Sequence, residues 1–303
     1  MIAVFYFYSM AKILITGGTG LVGMRLKKLL IHKNHEVVIL SRNPKNKDEF
    51  KWDIPSNYID EKALKNIDYI IHLAGAGIAE KRWTKKRKEV IIDSRIKTTN
   101  LLFKKVNELK ISLKGFISAS GIGYYGAITS KIIFKETAKS GSDFLAEVCQ
   151  KWEKAALQFS TKKIPVTIIR TGIVLASKGG ALDKMKTPII THLGSGKQYI
   201  PWIHIDDLCH IYIKSIENNL SGIFNAVSPE HHTSRTFSKA LAKSLKRPYL
   251  GVGIPRITVN ILFGKLAVIL LEGSRISSKK IEKNGYSFRF KTLVKALNDL
   301  YCF

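Results

Sequence analysis

The segment TGGTGLVG (residues 16–23) decides the fold of this chain. It follows the apolar run KILIT (12–16) and leads into a stretch with helical spacing of leucines, so it joins a strand to a helix. Gly17, Gly20 and Gly23 allow a tight turn, close approach of a pyrophosphate and close packing of helix on strand. An ordinary strand–helix turn is the alternative. The predicted phosphate-binding turn comprises Gly17, Thr19, Gly20, Leu21, Val22 and Gly23.

Short apolar runs alternate with longer helical stretches over the first two-thirds of the chain. Continuous apolar strands are typical of a parallel sheet that is covered on both faces, and alternation with helices predicts right-handed βαβ units. The expected fold class is α/β: a Rossmann-like doubly wound parallel sheet with a smaller C-terminal substrate lobe. The predicted strands are 12–16, 36–40, 68–74, 114–120 and 166–170, and the predicted helices are 20–33, 84–109 and 143–160. An apolar stretch at 257–273 is interpreted as a buried helix.

The end of the second strand selects the nicotinamide cofactor. An NAD site usually carries Asp or Glu about 20 residues after the glycines, and this chain has Ser41 and Arg42 there. A guanidinium pairs well with a 2′-phosphate, and Lys45 and Lys47 add positive potential. The sequence therefore predicts NADP (NADPH) as the cofactor. The alternative is that Arg42 only points into solvent.

The remaining cofactor contacts are expected at the ends of later strands. IHLAGAG (71–77) ends a central strand in small residues, which would let the ribose and nicotinamide pass close to the backbone. Arg95 lies on the helix that follows, and the strand at 166–170 ends in an arginine. The residues predicted to face this half of the cofactor are Leu73, Ala74, Gly75, Arg95, Ser118, Arg170, Thr171 and Gly172.

Composition bounds the class of protein. The 303 residues are 45% hydrophobic and 24% charged, which excludes a disordered or collagen-like chain. The 50 Lys and Arg against 23 Asp and Glu leave a net charge of +27, which favours polyanionic contacts, whether with nucleotide phosphates, nucleic acid or an acidic membrane face. The densest basic cluster is KRWTKKRKEV (81–90), but zinc spacings and RNA-binding motifs are absent from the sequence, so no nucleic-acid partner and no metal site are expected.

The termini and cysteines suggest a compartment. MIAVFYFYS (1–9) is too short to span a membrane and lacks a cleavage site, so we interpret it as an N-terminal extension and expect no membrane partner. Cys149, Cys209 and Cys302 are widely spaced and predict reduced thiols in a cytoplasmic setting. The helical stretches 84–109 and 143–160 are candidate surfaces for a homodimer.

Several motifs together resemble one family. They are TGGTGLVG, IHLAGAGIAEKRW, SRIKTTNLL, SASGIGYYG, FLAEVCQKWEKAA, IRTGIVLA and PWIHIDDL, followed by the tail GSRISSKKIEKNGYSFRFKTLVKAL. The chain resembles the atypical extended short-chain dehydrogenase/reductases, and within them an NAD(P)-dependent epimerase-like subfamily with its own short C-terminal domain. After the N-terminal extension at 1–9, the resemblance implies an NAD(P)-binding Rossmann domain at 10–228 and a small domain at 229–303 that completes the substrate lobe.

The resemblance also implies catalytic positions. The family uses Ser or Thr at the end of a strand with Tyr-x-x-x-Lys on the next helix, where the lysine lowers the tyrosine pKa. Ser120 matches the serine, but Leu145 and Cys149 occupy the Tyr and Lys positions. Tyr124 and Tyr125 are therefore candidate hydroxyl donors beside Ser120. The other candidate proton donors, each with a packing or capping role as its alternative, are Glu136, Asp143 and His204.

The resulting functional hypothesis is an NADP-binding epimerase- or oxidoreductase-like protein that acts on an unassigned small carbonyl or sugar-type substrate. Trp202 and His204 are placed on the substrate side by the resemblance, with interlobe packing as an equal alternative for Trp202. The missing Tyr-x-x-x-Lys pair supports a second hypothesis, a non-catalytic NADP-binding or sensing protein.

Overall fold

The computed structural model describes residues 10–301. The predicted N-terminal extension at 1–9 and the thiol of Cys302 lie outside the described residues. The strands are β1 (Lys12–Thr16), β2 (Glu36–Ser41), β3 (Glu49–Asp53), β4 (Tyr58–Ile59), β5 (Tyr69–His72), β6 (Gly115–Gly121), β7 (Ile133–Phe134), β8 (Val166–Thr171), β9 (Ile173–Leu175), β10 (Trp202–His204), β11 (Gly222–Ala226) and β12 (Arg275–Ile276).

Helices follow most of the strands. The α-helices are α1 (Leu21–His32), α2 (Lys85–Glu108), α3 (Phe144–Leu157), α4 (Gly180–Lys184), α5 (Ile205–Glu217), α6 (Ser234–Ser244), α7 (Arg256–Phe263), α8 (Val268–Leu271), α9 (Lys279–Lys283) and α10 (Leu293–Tyr301). Short 3₁₀ helices cover Glu61–Leu64, Ile122–Tyr125, Gln158–Lys162 and Gly264–Ala267. Within residues 10–301, no helix combines the length and the apolar content needed to cross a membrane.

The main sheet has the strand order β11-β8-β6-β5-β1-β2-β3-β4. Its neighbouring strands are parallel except β3 and β4, which are antiparallel. The chain runs outward from β1 through β2 and β3 and then crosses back to β5 on the other side of β1. Ligands of such sheets bind at the carboxyl ends of the strands beside this reversal. The prediction of a Rossmann-like doubly wound α/β fold is confirmed.

The sheet is buried on both faces because its central strands are mostly apolar on both sides. Ile13 and Ile15 of β1 join one core cluster with residues of α1 and α5, while Leu14 joins the opposite cluster with residues of α2 and α3. Each predicted strand and helix up to residue 171 agrees with the structure within about two residues at its ends, with one exception. The helix predicted at 143–160 ends at Leu157 and continues as a 3₁₀ helix. This two-sided burial holds the strand ends in fixed positions.

His72 ends β5 and is completely buried. Its Nδ1 lies 2.7 Å from Thr16 Oγ1 and its Nε2 lies 3.0 Å from Thr99 Oγ1. Burial lowers the pKa of His72 from 6.5 to about 3. The imidazole is therefore neutral at neutral pH and joins the ends of β1 and β5 to α2.

The pKa of His72 predicts a pH-dependent stability. Below pH 6.5 the unfolded chain binds a proton at this residue that the folded chain does not bind until about pH 3. Its contribution to the free energy of unfolding is therefore complete above pH 6.5 and falls progressively as the pH drops toward 3. Urea unfolding at several pH values should show a shallower pH dependence for His72→Gln than for the exposed control His32→Gln. Equal slopes for the two variants would contradict this assignment.

The stretch at 257–273 corrects one prediction. It is not one buried helix: α7 ends at Phe263, a 3₁₀ turn follows, and α8 begins at Val268. Gly264 has φ of +55°, a conformation that interrupts a right-handed helix. Val259 is buried, whereas Ile257 and Ile261 are exposed.

A buried carboxylate forms one of the contacts between the C-terminal region and the sheet domain. Asp207, on α5, accepts hydrogen bonds from Tyr286 Oη at 2.7 Å, from Arg289 N at 2.8 Å and from Phe290 N at 2.9 Å. A second contact is made by β12, which pairs in parallel with β7 in the segment that follows β6. The tail therefore packs on the sheet domain at two separate places.

Candidate functional site

The glycine turn after β1 has the geometry that its spacing predicts. Gly17 has φ of +69°, in the region that favours glycine. A Cβ on the buried Gly23 would lie 2.3 Å from Gly17 O and 2.6 Å from Gly18 Cα. The helix can approach the strand this closely only because residue 23 has no side chain.

The start of α1 is suited to bind an anion. Gly20 is its N-cap, without a side chain to occupy the first amides, and the first turn contains no acidic residue. Amides at this position lack partners within the helix, and the helix dipole adds positive potential. Thr19 and Gly20 are exposed, while Leu21 and Val22 are half-buried. These residues fit a pyrophosphate, and they lie at the strand edge where the sheet order reverses.

The end of β2 presents a cation where an NAD site presents an acid. Ser41 is half-buried, and its Oγ accepts a hydrogen bond from Asn43 N at 3.2 Å. Arg42 is exposed beside the end of the strand, together with Lys45 and Lys47. The positive charge of this corner suits a phosphate on the adenosine ribose.

The loop after β5 packs on the buried side chain of Arg95. Ala74 N donates to Thr16 Oγ1 at 3.3 Å, so the loop lies against the end of β1. Arg95 is buried; its guanidinium donates to Ala76 O at 3.1 Å, and a Cβ on Gly75 would lie 2.9 Å from Arg95 Cζ. Burial lowers the pKa of Arg95 to about 10. Leu73 and Gly75 line the surface of the loop, while Arg95 acts beneath it rather than in the open cleft.

Ser120 lies near the end of β6 and joins a buried ion pair. Its Oγ donates to Glu153 Oε1 at 2.7 Å. Arg170 holds the same carboxylate with two hydrogen bonds of 2.8 Å, from Nε to Oε1 and from Nη2 to Oε2. All three side chains are buried. Ser118, two residues earlier on β6, is also buried, and its Oγ donates to Ala119 O at 3.0 Å.

The two tyrosines after Ser120 have different surroundings. Tyr125 is buried; its hydroxyl donates to Asn225 Oδ1 at 2.6 Å and accepts from Arg170 Nη1 at 3.0 Å. Burial raises the pKa of Tyr125 to about 12. Tyr124 is half-buried, and its ring centroid lies 3.3 Å from Arg170 Cζ. Both rings thus pack on Arg170, and the hydroxyl of Tyr125 is occupied within the protein.

Arg170 and its neighbours lie deeper than the sequence suggested. The Arg170 guanidinium points into the protein, toward Glu153 and Tyr125, and not into the cofactor half of the cleft. Thr171 is half-buried at the end of β8, and a Cβ on Gly172 would lie 2.7 Å from Pro201 O. Of the three residues Arg170, Thr171 and Gly172, only Thr171 and Gly172 are partly exposed at the end of β8.

Trp202 and His204 are core residues in this structure. Trp202 is completely buried in a cluster that includes Phe237 and Phe290. His204 caps α5 by accepting from Asp206 N at 3.1 Å, and its ring packs on Phe290. Their burial corrects the expectation of direct substrate contact. It agrees with the alternative of packing between the sheet domain and the C-terminal region.

The carboxylates that were candidate proton donors also have structural partners. Asp143 caps α3, where its Oδ1 accepts from Leu145 N and Ala146 N. Glu136 accepts from Asn225 N at 2.9 Å through Oε1. These contacts agree with the capping and packing alternatives for both residues.

Comparison with known proteins assigns the family. Residues 13–226 match the profile of the NAD dependent epimerase/dehydratase family, and residues 254–300 match a domain of unknown function, DUF1731. The chain belongs to the NAD-dependent epimerase/dehydratase family. The resemblance to epimerase-like short-chain dehydrogenase/reductases with their own C-terminal domain is thereby confirmed, and the chain is an NAD(P)-binding protein of this family.

Relatives of this epimerase/dehydratase family protein match along nearly its whole length. Epimerase family protein SSP1921 of Staphylococcus saprophyticus is 34% identical over 297 residues, which are 95% of this chain and 98% of the relative. The crystal structure of human epimerase family protein SDR39U1 (isoform 2) with NADPH is 30% identical, with a TM-score of 0.85, and the match covers 96% of this chain and 99% of that one. UDP-N-acetylglucosamine 4-epimerase from Bacillus cereus, at 17% identity and a TM-score of 0.78, shows only the shared fold.

Two positions of α3 distinguish this epimerase/dehydratase family protein from the usual Tyr-x-x-x-Lys pattern. Cys149 faces the end of β6, where its Sγ donates to Gly121 O at 3.5 Å, and Leu145 faces the 3₁₀ helix that follows, where a Cβ on Gly123 would lie 3.0 Å from Leu145 Cβ. Burial, with the nearby charge of Glu153, raises the pKa of Cys149 to about 11. The thiol is therefore neutral at neutral pH, and unlike a lysine ammonium a cysteine carries no positive charge in either protonation state, so it cannot lower the pKa of a neighbouring hydroxyl as lysine does.

Sequence reasoning missed the partners of Ser120. Glu153, which accepts from Ser120, and Asn225, which accepts from Tyr125, were not predicted as site residues. One signal was present: Glu153 falls on the same helical face as Cys149 and Ala156, which are buried. A carboxylate on the buried face of a helix requires a partner, because an unpaired buried charge is costly.

Proposed function

We propose that this epimerase/dehydratase family protein binds NADPH and catalyses oxidation or reduction of a small carbonyl or sugar-type substrate. The observation that carries the proposal is the hydrogen bond from Ser120 to the Glu153–Arg170 pair beside the carboxyl ends of β1 and β5. When bound, the nicotinamide supplies or takes a hydride. The residues of the chain bind the dinucleotide, orient the substrate oxygen and carry its proton.

The cofactor would be held by the elements already described. The amides at the start of α1 would bind the pyrophosphate, and the loop around Ala74 would contact the ribose of the nicotinamide half. Arg42 would pair with the 2′-phosphate. The human relative solved with NADPH supports this choice of cofactor.

Arg42→Ala should weaken NADPH binding while leaving NADH binding unchanged. A charge-assisted hydrogen bond contributes about 1.5–3 kcal/mol, so the dissociation constant for NADPH should rise by roughly 10–100-fold. Calorimetry with both cofactors measures the two affinities. The control Lys154→Ala removes one positive charge from the exposed face of α3 and should change neither affinity. A parallel loss of NADH binding would show that Arg42 does not discriminate between the cofactors.

The direction of the Ser120 hydrogen bond assigns its role. Because Ser120 donates its proton to Glu153, the lone pairs of its oxygen remain available to accept one from a substrate hydroxyl. In the oxidation, the substrate proton would pass to Ser120 Oγ as the serine proton passes to Glu153. In the reduction, both transfers run in reverse. Ser120 is the proposed catalytic residue, with Glu153 acting through it.

Ser120→Ala should lower kcat by at least about 100-fold, since positioned proton transfer typically contributes 10²–10⁴. The NADPH affinity should not change, because the cofactor contacts lie elsewhere. The assay follows NADPH oxidation with a panel of aldehydes, ketones and nucleotide sugars. Ser215→Ala removes a buried hydroxyl that bonds only Ile211 O on α5, and it should keep wild-type turnover. Equal turnover of both variants would exclude Ser120 from the reaction.

A non-catalytic, NADP-sensing protein is the second candidate, favoured by Leu145 and Cys149 at the dyad positions. It predicts tight NADPH binding with no oxidation of NADPH across the same panel. Cofactor-dependent affinity for a partner would then be the activity to measure.

A further inference from the structure

An exposed ridge of aliphatic side chains covers one side of the C-terminal region. Val252 and Ile261 are each 70% exposed and Ile257 is 73% exposed. The neighbouring aliphatic side chains are more than half exposed. We define the aliphatic ridge as Ile189, Leu250, Val252, Ile257, Ile261 and Leu262.

The chain brings these residues together. Leu250 N donates to Ile190 O at 2.8 Å, so Leu250 lies beside Ile189. Three residues separate Val252 from the start of α7 at Arg256. On α7, Ile257 and Ile261 are four positions apart, so they lie one above the other on the same helical face. An apolar surface of this kind on a water-exposed helix marks an interaction site.

A basic rim borders the ridge at the end of α7. Arg82 Nη2 donates to Ile261 O at 2.9 Å and to Leu262 O at 2.7 Å, so the densest basic cluster of the chain lies directly against the ridge. The nearby acids are partly neutralised, since Glu80 pairs with Arg87 and Glu272 pairs with Arg256. The basic rim comprises the exposed residues Lys81, Arg82, Lys85, Lys86 and Lys265.

We propose that the aliphatic ridge and the basic rim together bind the surface of a membrane that contains anionic phospholipids. Interfacial helices present aliphatic residues to the acyl chains and Lys or Arg to the headgroups, and binding scales with both contributions. A second copy of the chain is a poorer occupant, because the net charge of +27 makes two copies repel. Protein hot spots favour Trp and Tyr, and neither residue type occurs in the ridge. No membrane partner was expected because the sequence lacks a membrane-spanning segment. A protein that binds only to the membrane surface does not require such a segment.

Vesicle co-sedimentation tests the proposal with the full-length protein. Vesicles of phosphatidylcholine with phosphatidylserine should bind the protein, and vesicles of phosphatidylcholine alone should bind it at least tenfold more weakly. The double variant Ile257→Ser with Ile261→Ser should bind at least tenfold more weakly than wild type, and so should Lys85→Glu with Lys86→Glu. The matched controls Val294→Ser, on α10, and Lys104→Glu with Lys154→Glu should bind like wild type. Circular dichroism confirms that every variant is folded.

Three outcomes would overturn the proposal. No binding to phosphatidylserine vesicles at low salt would exclude the lipid surface. Equal losses in the ridge variants and in the controls would assign the binding to overall charge rather than to the ridge. A dimer in analytical ultracentrifugation that the Ile257 and Ile261 substitutions dissociate, without vesicle binding, would assign the ridge to a second copy.

Discussion

Arg170→Ala should lower the free energy of unfolding by about 3–5 kcal/mol, because it leaves the carboxylate of Glu153 buried without its cation. Only 1% of the Arg170 side chain and 6% of the Glu153 side chain are exposed, and two hydrogen bonds join them. The substitution also removes a donor to the hydroxyl of Tyr125. Urea unfolding followed by circular dichroism measures the change.

Lys151→Ala is the matched control, since it breaks an ion pair on the outer face of the same helix. Lys151 and Glu147 are both 49% exposed, and such a pair contributes at most about 0.5 kcal/mol. If the two substitutions destabilise the protein equally, the Glu153–Arg170 pair is not the strong link between β8 and α3 that its geometry implies.

Gly23→Ala should lower the free energy of unfolding by at least about 3 kcal/mol and also abolish measurable NADPH binding. The new Cβ would overlap the backbone of Gly17 and Gly18, which cannot move without displacing the whole turn. Thermal unfolding and calorimetry with NADPH report the two effects.

Gly20→Ala separates the two consequences. Gly20 has φ of −82°, and the nearest atom to its added Cβ is Gly17 O at 3.3 Å, so the methyl group requires a much smaller shift of the backbone than a Cβ at Gly23 does. The methyl group would instead occupy space required by the pyrophosphate, and NADPH affinity should fall at least tenfold. A Gly23→Ala protein as stable as Gly20→Ala would show that helix α1 can move away from the turn.

The sheet and the cofactor turn were predictable because they depend on local patterns. The runs at 12–16 and 166–170 are mostly apolar, and three glycines at fixed spacing specify the turn between β1 and α1. β11 was not predicted, because GIFNA is short and contains Asn225, whose buried amide is satisfied by Tyr125 and Ser277. These two hydrogen-bond partners of Asn225 lie far away in the sequence.

The polar network around Ser120 could not be predicted for the same reason. Ser120 and Glu153 are 33 residues apart, and Tyr125 and Asn225 are 100 residues apart. No spacing rule connects such positions; only the stacking of α3 on β6 and β8 brings them together. The exposure of one face of α7 could not be predicted either, because an apolar sequence does not show which of its residues the rest of the chain covers.

The contact at Asp207 makes the two profile-matched regions one cooperative unit. Its carboxylate belongs to the first region, and all three of its donors, from Tyr286 to Phe290, belong to the second. Because these contacts cross from one region to the other, we expect heat or denaturant to unfold both regions in a single transition. A C-terminal portion grafted onto another Rossmann protein would leave these three donors without their acceptor, unless the recipient carries an acid at the same point.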